Sequence, residues 1–135
     1  MNIYIPTISE LNLPFYASCV PAGFPSPAED YEEGRLDLND FIEHPSATFF
    51  VRASGDSMIE AGIYPGDLLI VDRSLEARHN SIVIAVINGE MTLKRLIKRA
   101  EGSYLKADNP SYPNIALTED SYIWGVVKNS VRDLE

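Results

Sequence analysis

The stretch SIVIAVINGEMTLKRLI, residues 81–97, consists of two apolar runs separated by Asn88-Gly89. Asparagine and glycine both tolerate the positive φ angles of a type I′ turn, so the stretch predicts a hairpin that pairs the strand ending at Ile87 with the strand beginning at Glu90. Similar runs predict further strands over Thr48–Arg52, Leu68–Asp72, Tyr104–Ala107 and Tyr122–Val127. Together they predict a mainly β body, a compact curved antiparallel sheet or partial barrel.

The segment before this body is punctuated by proline and glycine. Its densest cluster consists of Pro21, Gly23, Pro25 and Pro27 and predicts an extended linker. The capping-box pattern Ser26-Pro27-Ala28-Glu29 predicts a short helix that ends near Gly34. A second short helix is expected to begin at Asp37 and to end before His44-Pro45.

These features predict a chain in three parts: an N-terminal arm over residues 1–22, a linker with short helices over 23–45, and a body over 46–135. The arm mixes apolar and polar residues and could add to the body as an edge strand. A chain of 135 residues can bury one hydrophobic core but is too short for two ordinary domains.

Composition limits the function. The formal charge of -9, from 20 acidic and 11 basic residues, repels a phosphate backbone, so direct DNA binding is not expected. The N-terminus lacks a basic signal region, and no apolar run approaches the roughly 18 residues that span a bilayer, so we expect a cytoplasmic protein without a membrane segment. With only Cys19, His44 and His79 as soft ligands, neither a disulfide, nor a metal site, nor a cofactor is expected.

The segment Ala53-Ser54-Gly55-Asp56-Ser57-Met58 leaves a predicted strand through a glycine turn. Such a turn can expose the Ser57 hydroxyl and can aim successive backbone N–H groups at one point, as a developing oxyanion requires. The same residues are also ordinary turn formers, so a purely structural role stays open.

Lys94 lies in a predicted strand on the same side as Leu96. A lysine held against apolar surface loses its proton more easily, and the neighbouring cations Arg95 and Lys98 would lower its pKa further. A neutral lysine can accept a proton from a serine. Equally, Lys94, Arg95, Lys98 and Arg99 could form a solvated basic stripe, and the residues alone do not decide between these interpretations.

The two histidines invite a Ser/His/Asp triad, which Asp67 or Asp72 could complete. His44 precedes a proline and His79 lies in a polar loop, so both are interpreted as solvent-facing turn residues instead. The two aspartates fit a turn and a strand end.

The run from Pro21 to Val127 resembles the LexA-like family of Ser/Lys self-cleaving proteases. The resemblance is carried by the segments GFPSPA at 23–28, HPSAT at 44–48, ASGDSM at 53–58 and GDLLIVD at 66–72. It implies that Ser57 is the nucleophile and Lys94 the general base, with the backbone N–H groups of Asp56 and Ser57 holding the oxyanion. It also implies that the cut bond is Ala22-Gly23, where small side chains allow close backbone approach.

The resemblance further implies a role in the bacterial SOS response. A RecA filament would promote the self-cleavage, and the product beginning at Gly23 would form a homodimer that joins the Y-family polymerase UmuC in the error-prone DNA polymerase V. The protein would then reach DNA only indirectly, through its partners, in agreement with its acidic charge.

Three other classes of protein compete with this interpretation. A LexA-type repressor needs a DNA-binding domain, for which residues 1–20 leave no room, and a Ser/Lys signal peptidase needs a membrane anchor. A non-enzymatic polymerase accessory, in which Ser57 and Lys94 are vestigial, stays open.

Overall fold

The computed structural model describes residues 3–4, 12–16, 22–24 and 32–135. These residues divide into two compact units, one drawn from residues 1–6 and 44–135 and the other from residues 7–43. No helix in these ranges is long and apolar enough to cross a bilayer.

The described residues form ten strands: β1 (Ile3–Tyr4), β2 (Asn12–Tyr16), β3 (Glu32–Asp37), β4 (Thr48–Arg52), β5 (Leu68–Asp72), β6 (Ile82–Ile87), β7 (Glu90–Ile97), β8 (Tyr104–Lys106), β9 (Ile115–Ala116) and β10 (Ser121–Val131). Eight of them form one antiparallel sheet in the order β1-β4-β5-β10-β6-β7-β8-β9. The sheet ends at β1 and β9 and does not close into a barrel. The predicted mainly β, antiparallel fold is therefore confirmed.

The hairpin of residues 81–97 has the predicted register. Ile87 pairs with Glu90, and Asn88 and Gly89 have φ angles of 51° and 80°. These are the positive angles that a two-residue hairpin turn requires. The hairpin places β7, which carries Lys94, between β6 and β8 inside the sheet.

The core of the larger unit consists of two clusters. One contains Val51, Ala53, Met58, Ile63, Leu69, Val71, Ile84 and Leu93. The other contains Val83, Ala85, Leu96, Leu105 and Val126. Successive residues of β6 fall in different clusters because neighbouring side chains of a strand point to opposite faces. Both faces of β6 are thus covered, which explains its nearly unbroken apolar sequence.

Within its described residues, the smaller unit contains the pair β2 and β3 and a 3-10 helix, Leu38–Phe41. Asp37 caps this helix by accepting a hydrogen bond from the Asn39 backbone N–H at 2.9 Å, so the helix predicted from Asp37 is present as a single turn. Residues 26–31 of the helix predicted to end near Gly34 lie outside the described residues. Its last residues are strand instead, because Glu32 and Gly34 pair with Tyr16 and Phe15.

One edge of the large sheet comes from the extreme N-terminal region. Ile3 and Tyr4 of β1 pair with Val51 and Phe50 of β4. The interpretation of the N-terminal segment as a possible edge strand therefore holds for these two residues.

Candidate active site

The loop that carries Ser57 is fastened at both ends. Before it, the Ala53 backbone N–H donates to the Asp67 carbonyl at 2.8 Å. Gly55 then turns the chain with a φ of 76°, in the left-handed region that favours glycine. After Ser57, the Met58 side chain is 1% exposed and packs in the first core cluster. Since both flanks are fixed, the half-buried Ser57 hydroxyl has a defined position.

Lys94 brings its amine to this hydroxyl. Its Nζ lies 3.2 Å from Ser57 Oγ, 3.0 Å from Thr92 Oγ1 and 3.1 Å from the Leu93 carbonyl oxygen. The Ser57 hydroxyl also lies 3.3 Å from the Leu93 carbonyl oxygen. Two side chains that are 37 positions apart in the sequence are thus within hydrogen-bonding distance. The amine contacts a serine, a threonine and a carbonyl, and the described residues place no carboxylate on it.

The environment of Lys94 disfavours its charged form. The residue is 6% exposed, and burial lowers the pKa of its amine. Arg95 and Lys98, from which a further lowering was predicted, do not contribute, because Lys98 is exposed and the Arg95 guanidinium binds Asp108 at 2.6 Å. The alternative of a solvated basic stripe is wrong for Lys94 and holds only for its exposed neighbours Lys98 and Arg99.

A loop between β8 and β9 completes the site, and no sequence pattern pointed to it. Asn109 Nδ2 donates to the Asp56 carbonyl at 2.9 Å, and the Tyr112 hydroxyl donates to Asp56 Oδ1 at 2.5 Å. The Tyr112 ring centre lies 5.6 Å from Lys94 Nζ. In the sequence these residues only indicate a turn, because a contact across 53 or 56 positions leaves no local pattern.

These elements surround a cavity of about 250 Å³. It is lined by Ser54, Gly55, Asp56, Ser57, Met91, Thr92, Leu93, Lys94 and Tyr112. The cavity is open to solvent, and Ser57 and Lys94 both belong to its wall.

The histidines do not join this site. His44 Nδ1 lies 2.5 Å from Asp72 Oδ2, so the interpretation of His44 as a merely solvent-facing turn residue was incomplete. Burial raises the pKa of Asp72, but the hydrogen bonds from Ser74 and His44 outweigh it and lower that pKa overall. The Ser74 hydroxyl donates to Asp72 and not to His44, so these three residues lack the serine-to-histidine contact of a proteolytic triad.

The predicted cut bond lies in the smaller unit. Ala22, Gly23 and Phe24 are all exposed, and the Phe24 side chain is 94% exposed. A Cβ atom built on Gly23 would meet nothing within 4 Å, so this backbone is open on the side that a side chain would occupy. Cys19 lies outside the described residues.

Comparison with known proteins identifies the family to which the chain belongs. The Peptidase S24-like family matches residues 14–128. MucA from Salmonella typhimurium is 46% identical over 123 residues, which cover 89% of this chain and 84% of MucA. SamA from the same species is 49% identical over 115 residues, or 84% of this chain and 81% of SamA. A Shewanella LexA repressor is 36% identical over 128 residues, which span 90% of this chain and 62% of the repressor.

The chain therefore belongs to the peptidase S24-like family, whose members are in general self-cleaving serine proteases. Within this family its likeness is to the UmuD-like SOS mutagenesis proteins, and it extends over most of the chain.

Proposed function

We propose that this protein is a self-cleaving serine endopeptidase of the SOS response, with Ser57 as nucleophile and Lys94 as general base, and that it cuts its own Ala22-Gly23 bond. The observation that carries the proposal is the 3.2 Å contact between Ser57 Oγ and the buried Lys94 amine. A general base must lie within hydrogen-bonding reach of the proton it accepts, and burial favours the neutral amine that can accept it.

The reaction proceeds through an acyl-enzyme. Lys94 accepts the hydroxyl proton of Ser57 while Oγ bonds to the Ala22 carbonyl carbon, and the carbonyl electron pair moves to oxygen. When the resulting tetrahedral intermediate collapses, the bond to the Gly23 nitrogen breaks, Lys94 returns the proton to that nitrogen, and the acyl-enzyme remains. Water then hydrolyses the ester on Ser57, which releases the Ala22 carboxylate and restores the serine.

The backbone N–H groups of Asp56 and Ser57 stabilise the oxyanion. They lie in the loop that leaves β4, beside the nucleophile, and within the described part of the chain neither one donates to a backbone carbonyl. Fixed donors of this kind act where negative charge develops and need no rearrangement during the reaction, and removing one such donor typically costs about 100-fold or more in rate.

Cleavage acts as a switch. Each chain is cut once, and the product beginning at Gly23 forms a homodimer that serves the Y-family polymerase UmuC as an accessory of translesion synthesis in the cytoplasm. A RecA filament on single-stranded DNA promotes docking of the arm. The likeness to UmuD-like SOS mutagenesis proteins supports this role, and the charge of -9 fits a protein that reaches DNA only through partners.

The test is self-cleavage of purified wild type, Ser57→Ala and Lys94→Ala at raised pH, followed by gel electrophoresis. We expect each substitution to lower the cleavage rate by at least about 100-fold, as is typical for loss of a nucleophile or its base. Lys98→Ala and Ser130→Ala change exposed residues outside the site and should cleave at the wild-type rate. Normal cleavage by Ser57→Ala would refute the assignment, and an uncut wild type would favour the non-enzymatic accessory.

A further inference from the structure

The Asp56-Ser57 peptide is held from outside its own loop by two side chains of residues 109–112. The Asp56 carbonyl oxygen accepts from Asn109 Nδ2 at 2.9 Å, and its carboxylate accepts from the Tyr112 hydroxyl at 2.5 Å. Two bonds to different groups of one residue restrict both the side chain and the peptide plane between Asp56 and Ser57. The loop of residues 109–112, called the second loop below, therefore fixes the orientation of the Ser57 N–H.

Resting on the proposed function, we propose that Tyr112 and Asn109 are positioning residues of the cleavage reaction, which hold the Asp56-Ser57 backbone so that its N–H groups face the scissile carbonyl. Neither side chain needs to touch the reacting atoms. They act through Asp56, whose side chain otherwise has no part in the chemistry.

The second loop is itself rigidly supported. Asn109 Oδ1 accepts from the Ser111 backbone N–H at 3.0 Å, which orients the side-chain amide so that Nδ2 faces Asp56. The Asp108 backbone N–H contacts Met58 Sδ at 3.3 Å, and the Glu60 N–H donates to the Asp108 carbonyl at 2.9 Å. The loop therefore contacts the nucleophile segment on both sides of Ser57.

The same loop is tied to the strand that carries the base. Arg95, next to Lys94 in β7, binds Asp108 with Nε at 3.1 Å and Nη2 at 2.6 Å from the carboxylate oxygens. Paired contacts of this kind between guanidinium and carboxylate are geometrically specific. Asp108 thereby links the base strand to the loop that positions the oxyanion donors, so the two halves of the site keep a fixed relative geometry.

The Tyr112 bond contributes little to folding. Tyr112 is 40% exposed, and the hydroxyl of such a residue can be satisfied by water without cost to the core. A hydrogen bond to the Asp56 carboxylate raises the pKa of Tyr112. The bond to Asp56 therefore favours the protonated form of the tyrosine, which is the form that donates it.

The test is the pH dependence of self-cleavage in full-length Tyr112→Phe and Asn109→Ala. We expect the maximal rate to fall about 10-fold in each, because small misplacements of reacting groups are costly, while the pH midpoint set by Lys94 stays unchanged. The two effects should combine less than additively, since both act through Asp56. Tyr122→Phe, at a tyrosine of β10 that is 55% exposed and does not line the site cavity, is the matched control and should behave as wild type.

Two outcomes overturn the inference. Wild-type maximal rates in both variants would show that the loop does not position the site. A shifted pH midpoint with an unchanged maximal rate in Tyr112→Phe would show that the ring acts on Lys94 instead. Asn109 does not line the site cavity, so its substitution separates positioning from contact with the bound arm. If these variants cleave normally while Ser57→Ala is inert, only this inference fails, whereas cleavage by Ser57→Ala removes the proposed function as well.

Discussion

At the scale of single residues, the chemistry of Lys94 follows from what surrounds it. Its strand neighbours Leu93 and Leu96 belong to the two core clusters, and its amine is left with Ser57, Thr92 and a backbone carbonyl as partners. Burial makes the folded chain release the Lys94 proton at a lower pH than the ordinary value of 10.5. Between these two pH values the unfolded chain binds more protons, so this residue makes stability increase as pH rises.

Lys94→Met should therefore stabilise the fold while abolishing cleavage. Replacing a buried amine by an apolar side chain of similar length removes the cost of burying the charge, and we expect a gain of about 1 kcal/mol in the free energy of unfolding at pH 7. The gain should shrink as pH approaches 10.5, where the unfolded chain loses the same proton. Urea unfolding at several pH values measures it, with exposed Lys98→Met as the control. A less stable Lys94→Met at pH 7 would contradict this account.

At the scale of elements, the sequence predicted those parts of the fold that are specified locally. The β4, β5 and β7 strands have the predicted ends, and the Asn88-Gly89 turn sets the predicted register. The β3 sequence EEGRLD has no strand pattern, and its conformation depends on pairing with β2. Likewise β9 has only two residues and exists through its pairing with β8. Such elements depend on partners distant in the sequence and have no local signature.

The residues of the site divide in the same way, into those that the sequence indicated and those that it did not. The serine turn and the lysine strand were visible as candidates, and only the family resemblance paired them. The contributions of Asn109 and Tyr112 could not be predicted, because the fold of the whole sheet brings their loop to Asp56. The sequence likewise did not decide whether Lys94 is buried, because it showed only one apolar neighbour, Leu96, on the same side of the strand. In the structure Lys94 is 6% exposed.

Gly125 tests the packing between β10 and β5. A Cβ atom at this position would lie 2.6 Å from Val71 Cγ1, which is fully buried. We expect Gly125→Ala to lower the free energy of unfolding by about 1–3 kcal/mol, as is typical of overpacking. Combining it with Val71→Ala removes the clashing atom, so the double variant should lose less stability than the sum of the single variants. Strict additivity, or no effect of Gly125→Ala in thermal unfolding, would show that the added methyl group does not clash with Val71.

At the scale of the whole molecule, the proposed function joins an active site and its substrate in one polypeptide. The proposed nucleophile and base lie in the unit of residues 1–6 and 44–135, and the proposed cut bond lies in the exposed segment Ala22–Phe24 of the other unit. If each chain is cut once, as proposed, the cleavage rate should depend on how often the segment docks and not on turnover. Deprotonation of Lys94 should speed the reaction as pH rises through its lowered pKa.

The most direct measurement is the intact mass of purified protein during incubation at alkaline pH. We predict two products whose masses sum to that of the chain plus one water, the larger one beginning at Gly23, while Ser57→Ala stays intact. A wild-type chain that keeps its full mass, a cut at another bond, or equal cleavage of Ser57→Ala would contradict self-cleavage by Ser57 and Lys94.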